Sequence, residues 1–567
     1  MRILLLDPFA DIWVSSFPTA VVAEAWSDCG HQIHTLRCDG VLRSFCNSMS
    51  ARGLNSSSSR SELDKCCSSC KKRRDVLRKN FKFKEHLIED FLSSVEQKKI
   101  KSILESVTKD NWKDLCIESI RVGKIASYEL LLEKKISSLD NIVMFWSEYL
   151  DRLENTLASY FATKSVVRAH QIEAVVAYNG LYAVNRVALM YADSIGIQAL
   201  ALSAGSHLED KFSQISVYRF DSLPVDAIKS KEWEKVRELP MTIDQIDSVK
   251  RHLIQLNRAK SNFVYSSPKQ GLTAKEIFRK LKLPKNKKII LLTMSSPDEF
   301  TAIEAINFRD PIDGLLFQNS YDWLSFVISL VGFRDDVHLI LRVHPRQYPN
   351  KRESRKSEDA TYLEQFLSSL PANVSVNWPS EQISLYDIAK VVDLVLNRTS
   401  SAGIELSALG IPTLNCDPEL MISYDPNISV VAKTKSEYET AFNNLLEEGR
   451  SINHAIKAFR YWGFMFKQVY FDISEGFSYP AAGYLLRKEN FTRKLYNEAL
   501  VLIDRKFRIV ERKTIRSKQK LSNKSMLSLA FKMSDDVLIG GVTELRLTED
   551  QERLQIQKVI RELTCGS

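Results

Sequence analysis

The sequence predicts an α/β protein made of two doubly wound parallel sheets, and three observations carry that expectation. Short apolar runs of four to seven residues alternate with helically spaced stretches, the rhythm of parallel strands joined by crossover helices. This rhythm starts at the N-terminus, breaks after Cys38, resumes near Ala174 and starts afresh at Lys288. A chain of 567 residues is also too long for one ordinary domain at roughly 150 residues each.

Residues 2–6, Arg-Ile-Leu-Leu-Leu, form an apolar run closed by Asp7 and Pro8, which reads as a buried parallel strand and its loop. Residues 16–28 space Phe17, Val21, Val22, Ala25 and Trp26 at helical intervals, Gly30 ends the helix, and 32–37 supply a second strand. Between 38 and 162 the chain turns first to serines and cysteines and then to charged, amphipathic sequence, predicting a Cys-rich helical insertion. A strand at 174–178, a helix at 184–194 and a strand at 197–202 complete a first domain bounded at 1–225. A polar helical connector fills 226–274. The second domain, 275–450, carries strands at 288–293, 337–343, 374–377, 392–396 and 411–414. Helices separate them near 321–330, 362–370 and 384–390, another ends at Leu409, and one more spans 436–449. Return helices and a basic C-terminal extension occupy 451–567.

Composition excludes several classes. With 44% apolar and 26% charged residues, 19 Gly and 16 Pro, the chain is neither collagen-like, disordered nor a disulfide scaffold. No apolar run approaches the roughly 20 residues needed to cross a bilayer, and the apolar start stops at Asp7, too soon for a signal peptide. A cytoplasmic protein is the expectation. The net charge of +9 is concentrated: residues 487–532 hold fourteen Lys/Arg against four Asp/Glu, and 71–84 hold eight against one. Each run fits a solvated helix face, and each also suits an acidic partner, either an anionic membrane surface or an anionic glycan. Aromatic residues are not interleaved with these cations and no zinc-finger spacing occurs, so nucleic acid is not an expected partner.

The most informative stretch runs Leu396-Asn-Arg-Thr399-Ser400-Ser401-Ala-Gly403-Ile-Glu405, a strand, a hydroxyl-rich turn and a helix with glycine in its first turn. Hydroxyls and free backbone N–H groups would meet there, as an anion requires, although Ser400 or Ser401 alone would equally serve as an N-cap. Weight is added by Arg342-Val-His344-Pro-Arg346 at the end of another strand of the same series. In open α/β sheets ligands lie beyond the carboxyl ends of strands, so both motifs are expected at one phosphate. No Gly-x-Gly-x-x-Gly turn follows the first strand, and neither Gly-x-x-x-x-Gly-Lys-Ser/Thr nor His-Glu-x-x-His occurs. These absences argue against an NAD enzyme, a P-loop ATPase and a zinc protease.

The pair Arg342-Val-His344-Pro345 and Thr399-Ser400-Ser401-Ala-Gly403-Ile-Glu405, followed by Ala408-Leu-Gly410-Ile-Pro412, resembles the nucleotide-sugar half of bacterial capsule and surface-polysaccharide glycosyltransferases. Those enzymes have two Rossmann-like domains, the GT-B architecture, and the pattern is most similar to their Kdo- and sialyl-transferring members. Tyr178-Asn179-Gly180-Leu-Tyr182 resembles a strand-Asn-Gly turn of the same proteins, and the likeness spans about 170–220 and 275–450. It implies a CMP- or UDP-sugar donor with His344, Ser400 and Ser401 at its phosphate and Glu405 near the ribose. Arg342, Thr399, Gly403 and Asn179 are implied as further donor-binding residues, and a glycan or glycolipid as acceptor. Sugar-nucleotide epimerases and glycerophosphate polymerases share the Ser-x-Gly-x-Glu helix start. They stand as alternatives, beside a non-enzymatic basic binding protein.

Transfer without a metal needs cations at the leaving phosphate, for which His344 is a catalytic candidate, and a base for the acceptor hydroxyl. Strand ends of the first domain offer Asp7, Asp11, His207, Glu209 and Asp210, of which Asp11 and His207 rank first, although a loop carboxylate or helix cap would explain each. Separately, Cys67 and Cys70 have the spacing of a zinc or iron–sulfur half-site, with Cys66 adjacent and Cys38 and Cys46 as a looser second half. Four thiolates, Cys38, Cys46, Cys67 and Cys70, would hold a structural metal, while free reduced thiols are the plainer account.

Overall fold

The computed structural model describes all residues except 43–45, 55–56, 260, 262, 307–313, 351–353, 418–427, 477–519, 543 and 566–567. Two α/β sheets form where the apolar runs lie. The first domain contributes β1 (Arg2–Leu6), β2 (Gln32–Arg37), β3 (Lys84–Leu87), β4 (Ala174–Tyr178), β5 (Gln198–Ala204) and β6 (Gln214–Arg219). The second contributes β7 (Lys288–Thr293), β8 (Val337–Arg342), β9 (Val374–Asn377), β10 (Leu394–Asn397), β11 (Thr413–Cys416) and β12 (Val430–Ala432). The chain then returns to the first sheet as β13 (Phe471–Asp472), antiparallel to β6.

The sheet orders are β13-β6-β5-β4-β1-β2-β3 and β12-β11-β10-β7-β8-β9. Counted from their first strands, β1 and β7, both read 3-2-1-4-5-6, the doubly wound order of Rossmann-like folds. The second sheet is parallel throughout, whereas β6 pairs with β5 in antiparallel fashion. Central strands read as unbroken apolar runs because helices cover both faces: Ile3, Leu4 and Leu5, like Ile290, Leu291 and Leu292, are wholly buried.

The 38–162 insertion is helical as expected, with helices such as Arg60–Asn80, Ser94–Ser106 and Trp146–His170. It also adds β3, a strand the sequence does not announce: Lys-Glu-His-Leu is polar because it lies at the sheet edge and pairs only with β2. The connector forms the helix Ile243–Arg258, against which Ile452–Phe464 and the C-terminal helix Glu549–Cys565 pack. The helix Lys524–Ser528 lies on Trp13–Asp28, and Lys520 pairs with Asp28 at 3.0 Å. Most of the basic run 487–532, through 519, lies outside the described residues. Among the described residues no helix is long and apolar enough to cross a membrane.

The domains meet through the chain that follows the helix Tyr128–Lys134. Lys135 is 1% exposed, and its Nζ donates to the carbonyl oxygens of Arg346 and Arg355, both at 2.6 Å. Arg346 donates back to the Leu132 carbonyl at 2.9 Å while its guanidinium pairs with buried Asp298 at 2.8 Å. Ser137 N donates to Glu358, and Thr301 Oγ1 to the Ser137 carbonyl. The loop carrying His344 is thereby fastened to the first domain.

Candidate active site

Arg342 closes β8, and His344 begins the turn that follows; Ser400 and Ser401 stand between β10 and the short helix Ala402–Ser407. β8 and β10 flank β7, so their carboxyl ends open on the same edge. Arg342, His344, Ser400, Ser401 and Glu405 line one cavity there, closed on the other side by Tyr265 and Tyr386. Thr399 is buried beside it, donating from Oγ1 to Ser295 Oγ at 2.7 Å, and Gly403 is packed inside the helix. The two motifs, some fifty residues apart in sequence, thus share one site.

Arg342 is 9% exposed and donates to Asn377 Oδ1 and, at 3.2 Å, to the Ile383 carbonyl. Both partners are neutral. Among the described residues no carboxylate is hydrogen-bonded to it, and burial lowers its guanidinium to about 10 against the opposing pull of Tyr386 and Glu381. His344 is held differently. Its Nδ1 accepts the Arg346 backbone N–H at 3.3 Å, so Nε2 carries the proton, and no protein acceptor takes it among the described residues. Burial, then Arg346, Arg342 and Lys135, pushes this imidazole down to about 3. It is therefore a neutral N–H donor. Glu405 accepts from Tyr386 Oη at 2.7 Å and Ser401 Oγ at 3.0 Å, while burial raises its carboxyl.

The two first-domain residues expected as bases are placed otherwise. Asp11 lies past β1, but its carboxylate, 2% exposed, is gripped by Arg52 through both oxygens and by Arg73 at 3.0 Å. Such pairing spends its lone pairs on the protein itself. His207 is wholly buried, with Nε2 2.9 Å from the Ser248 carbonyl and Nδ1 accepting the Asp210 N–H at 3.2 Å. Both nitrogens are occupied, and Phe466 packs on its ring, which removes it as a base. Asn179 is corrected too: it takes a left-handed φ of 58° in the turn after β4, its Oδ1 accepts from Leu181 N, and it is absent from the donor cavity.

A second cavity of about 560 Å³ adjoins the first, with Tyr265 in both walls. It is lined from the first domain by Phe9, Tyr182, Glu129 and Glu133 and from the second by Glu299 and Arg346. Glu129 Oε1 accepts from Ala183 N at 3.0 Å, whereas Oε2 is buried without a hydrogen-bond partner among the described residues. Burial raises its carboxyl, ahead of the opposing pull of Arg152. Glu129 sits on a helix of the insertion, which no strand-end rule would single out.

Cys38, Cys46, Cys66, Cys67 and Cys70 converge on one small cavity beside Asp11 and Phe9. Burial raises the thiols of Cys38 and Cys66 to about 11 and of Cys70 to about 12, and raises Cys46 as well. Their sulfurs are nevertheless not drawn together as in a four-thiolate site. Among the described residues the only group of three or more metal-ligating atoms within 4.8 Å of one another is His34, His86 and His170.

No family model matches the chain, and no curated protein matches it. Solved structures similar to it include glycosyltransferases and a UDP-N-acetylglucosamine 2-epimerase. The Thermosulfurimonas dismutans KpsC β-Kdo 2,4 transferase is 17% identical, with 51% of this chain and 79% of that one covered and a TM-score of 0.30. The glycosyltransferase SnogD from Streptomyces nogalater is 13% identical over 82% of this chain and 95% of its own, TM-score 0.24. A putative UDP-N-acetylglucosamine 2-epimerase from Listeria monocytogenes is 11% identical over 81% and 90%, TM-score 0.24.

Proposed function

We propose that the protein is a glycosyltransferase that moves a sugar from a nucleotide-sugar to a glycan or glycolipid acceptor, with the donor in the cavity of the second domain. The observation that carries this reading is Arg342, a buried cation whose protein partners are all neutral. A buried charge left unpaired is costly, so an anionic ligand completes the site. The diphosphate or phosphate of a UDP- or CMP-sugar meets Arg342 and the His344 Nε2–H, while Ser400 and Ser401 add hydroxyls and Glu405 faces the ribose. As the anomeric C–O bond breaks, its electron pair passes to the phosphate oxygen, where Arg342 and His344 stabilise the charge without a metal. The acceptor hydroxyl enters through the second cavity, forms the new C–O bond, and yields its proton to Glu129. A carboxyl raised by burial is suited to take that proton.

Glu405 is the one carboxylate lining the donor cavity, and Tyr386 and Ser401 both hold it. An epimerase, which removes and returns a proton at carbon, lacks a second acid there among the described residues. The basic run 487–532 is proposed to bind an anionic glycan or the cytoplasmic face of an anionic membrane; co-sedimentation with anionic but not neutral vesicles, weakened by salt, tests it.

Thermal melts with CMP, UDP, GDP and CDP test the donor assignment. One nucleotide at 100 times its dissociation constant adds about 2.7 kcal/mol to stability. In Arg342→Met the gain should fall to about 0.3–1.3 kcal/mol. Failure of all four to stabilise the native chain overturns the reading. With the donor known, Glu129→Gln should slow transfer by about 10²–10⁴-fold while the melt with nucleotide is kept.

A further inference from the structure

The first domain contains a cluster that plays no part in the proposed transfer. His34 on β2, His86 on β3 and His170 at the end of the helix Trp146–His170 are far apart in sequence, yet each presents a ring nitrogen within 4.8 Å of the others. His34 Nδ1 and His86 Nε2 face each other at 2.9 Å. The rings of His86 and His170 stack at 4.3 Å, and Phe91 packs edge-on against both. His34 is buried; the other two are half-buried, which leaves the group open to solvent on one side.

We propose that His34, His86 and His170 bind one divalent transition-metal ion of borderline softness, zinc being the natural occupant, with water in the fourth position. Two imidazole nitrogens at 2.9 Å share either a proton or a metal. A tetrahedral zinc with Zn–N bonds of about 2.0–2.1 Å sets its ligand nitrogens about 3.3 Å apart, so the His34–His86 pair widens slightly from 2.9 Å while the His170 nitrogen, within 4.8 Å, draws in. Imidazole is the ligand of choice for zinc, cobalt, nickel and copper, and nothing in the cluster is a hard oxygen donor of the kind magnesium or calcium selects. On His34 the proton stays on Nε2, which reaches Gln32 Oε1 at 3.5 Å and leaves Nδ1 for the metal.

The position gives the ion its role. β3 is a short, polar edge strand that belongs to the insertion and pairs with β2 alone. A metal shared by β2, β3 and the helix end would fix that strand to the body of the first domain. None of the three histidines lines either cavity of the proposed transfer site, so the inference stands apart from that reaction.

Cobalt titration of the full chain, stripped with a chelator, tests the proposal. One equivalent should produce visible d–d absorption without the near-ultraviolet sulfur-to-cobalt charge-transfer band that cysteine ligands give. His86→Ala and His170→Ala should each lose the absorption, and Cys70→Ser should keep it. Zinc should slow hydrogen exchange at 84–87 in the native chain and not in His170→Ala. His170 is half-buried at a helix end, so its variant folds and supplies a control if His86→Ala does not. Absence of d–d absorption at one equivalent, its survival in both histidine variants, or a charge-transfer band that disappears in Cys70→Ser would each overturn the assignment.

Discussion

The two sheets share one strand order but treat their carboxyl edges in opposite ways. At the first, Asp7 is matched from within the protein by Arg37 and Ser16, Asp11 by Arg52 and Arg73, and Glu85 by Arg37. At the second, Arg342 has neutral partners alone and the His344 Nε2–H has none among the described residues. An edge whose charges are matched internally is a structural joint, and an edge with an unmatched buried cation is set for a ligand. Position relative to the sheet therefore narrows the search, and the state of pairing decides it.

The strongest way to break this comparison is His344→Ala. Loss of one donor to a developing oxyanion lowers turnover by about 10²–10³-fold, and KM should change little. Undiminished transfer would remove the open edge from the chemistry. Arg342→Met comes next: nucleotide affinity should fall by about 1.5–3 kcal/mol, the value of a hydrogen bond to a charged group, while the ligand-free melt moves little. Isothermal titration with the nucleotide chosen by the melts reads that loss. At the other edge the readouts exchange places. Asp11→Asn should cost about 1–3 kcal/mol of stability and leave transfer by the folded enzyme intact. Transfer lost with the melt unchanged would make Asp11 catalytic and erase the contrast.

A pH series sharpens it further. The folded-state pKa of His344, about 3, lies below the ordinary 6.5, so between those values the unfolded chain binds the proton more tightly. Its contribution to stability is complete above about 6.5 and is lost as pH falls toward 3. Melting temperature should decline from about pH 6.5 downward. Nucleotide binding should show no histidine titration near 6.5, because His344 donates as a neutral ring.

Strands buried on both faces were legible because they must be continuously apolar: β1, β4, β7, β8 and β10 are all visible in the sequence. β3 was not, since an edge strand tolerates Lys-Glu-His-Leu, and β12 and β13 are too short to carry a period. At the site, Arg342, His344, Ser400, Ser401 and Glu405 were readable because strand ends of one parallel sheet must share an edge. Asp11 and His207 illustrate the limit of that rule. Their addresses fit, but Arg52, Arg73 and the Ser248 carbonyl are brought to them by tertiary packing. Glu129 and the three histidines depend on packing in the same way, for nothing in the spacing 34, 86 and 170 foretells one cluster.

Lys135 ties the two halves of the molecule to each other at the loop that bears His344. Its ammonium, inserted between the carbonyls of Arg346 and Arg355, lets the first domain hold the shape of a second-domain turn. Any hinge motion that parts the domains withdraws this cation and slackens the His344 turn in the same stroke. If the cavity at His344 holds a nucleotide-sugar as proposed, a donor that arrives while the hinge is open would meet an incomplete cradle, and release of the spent nucleotide would be coupled to the parting of the domains.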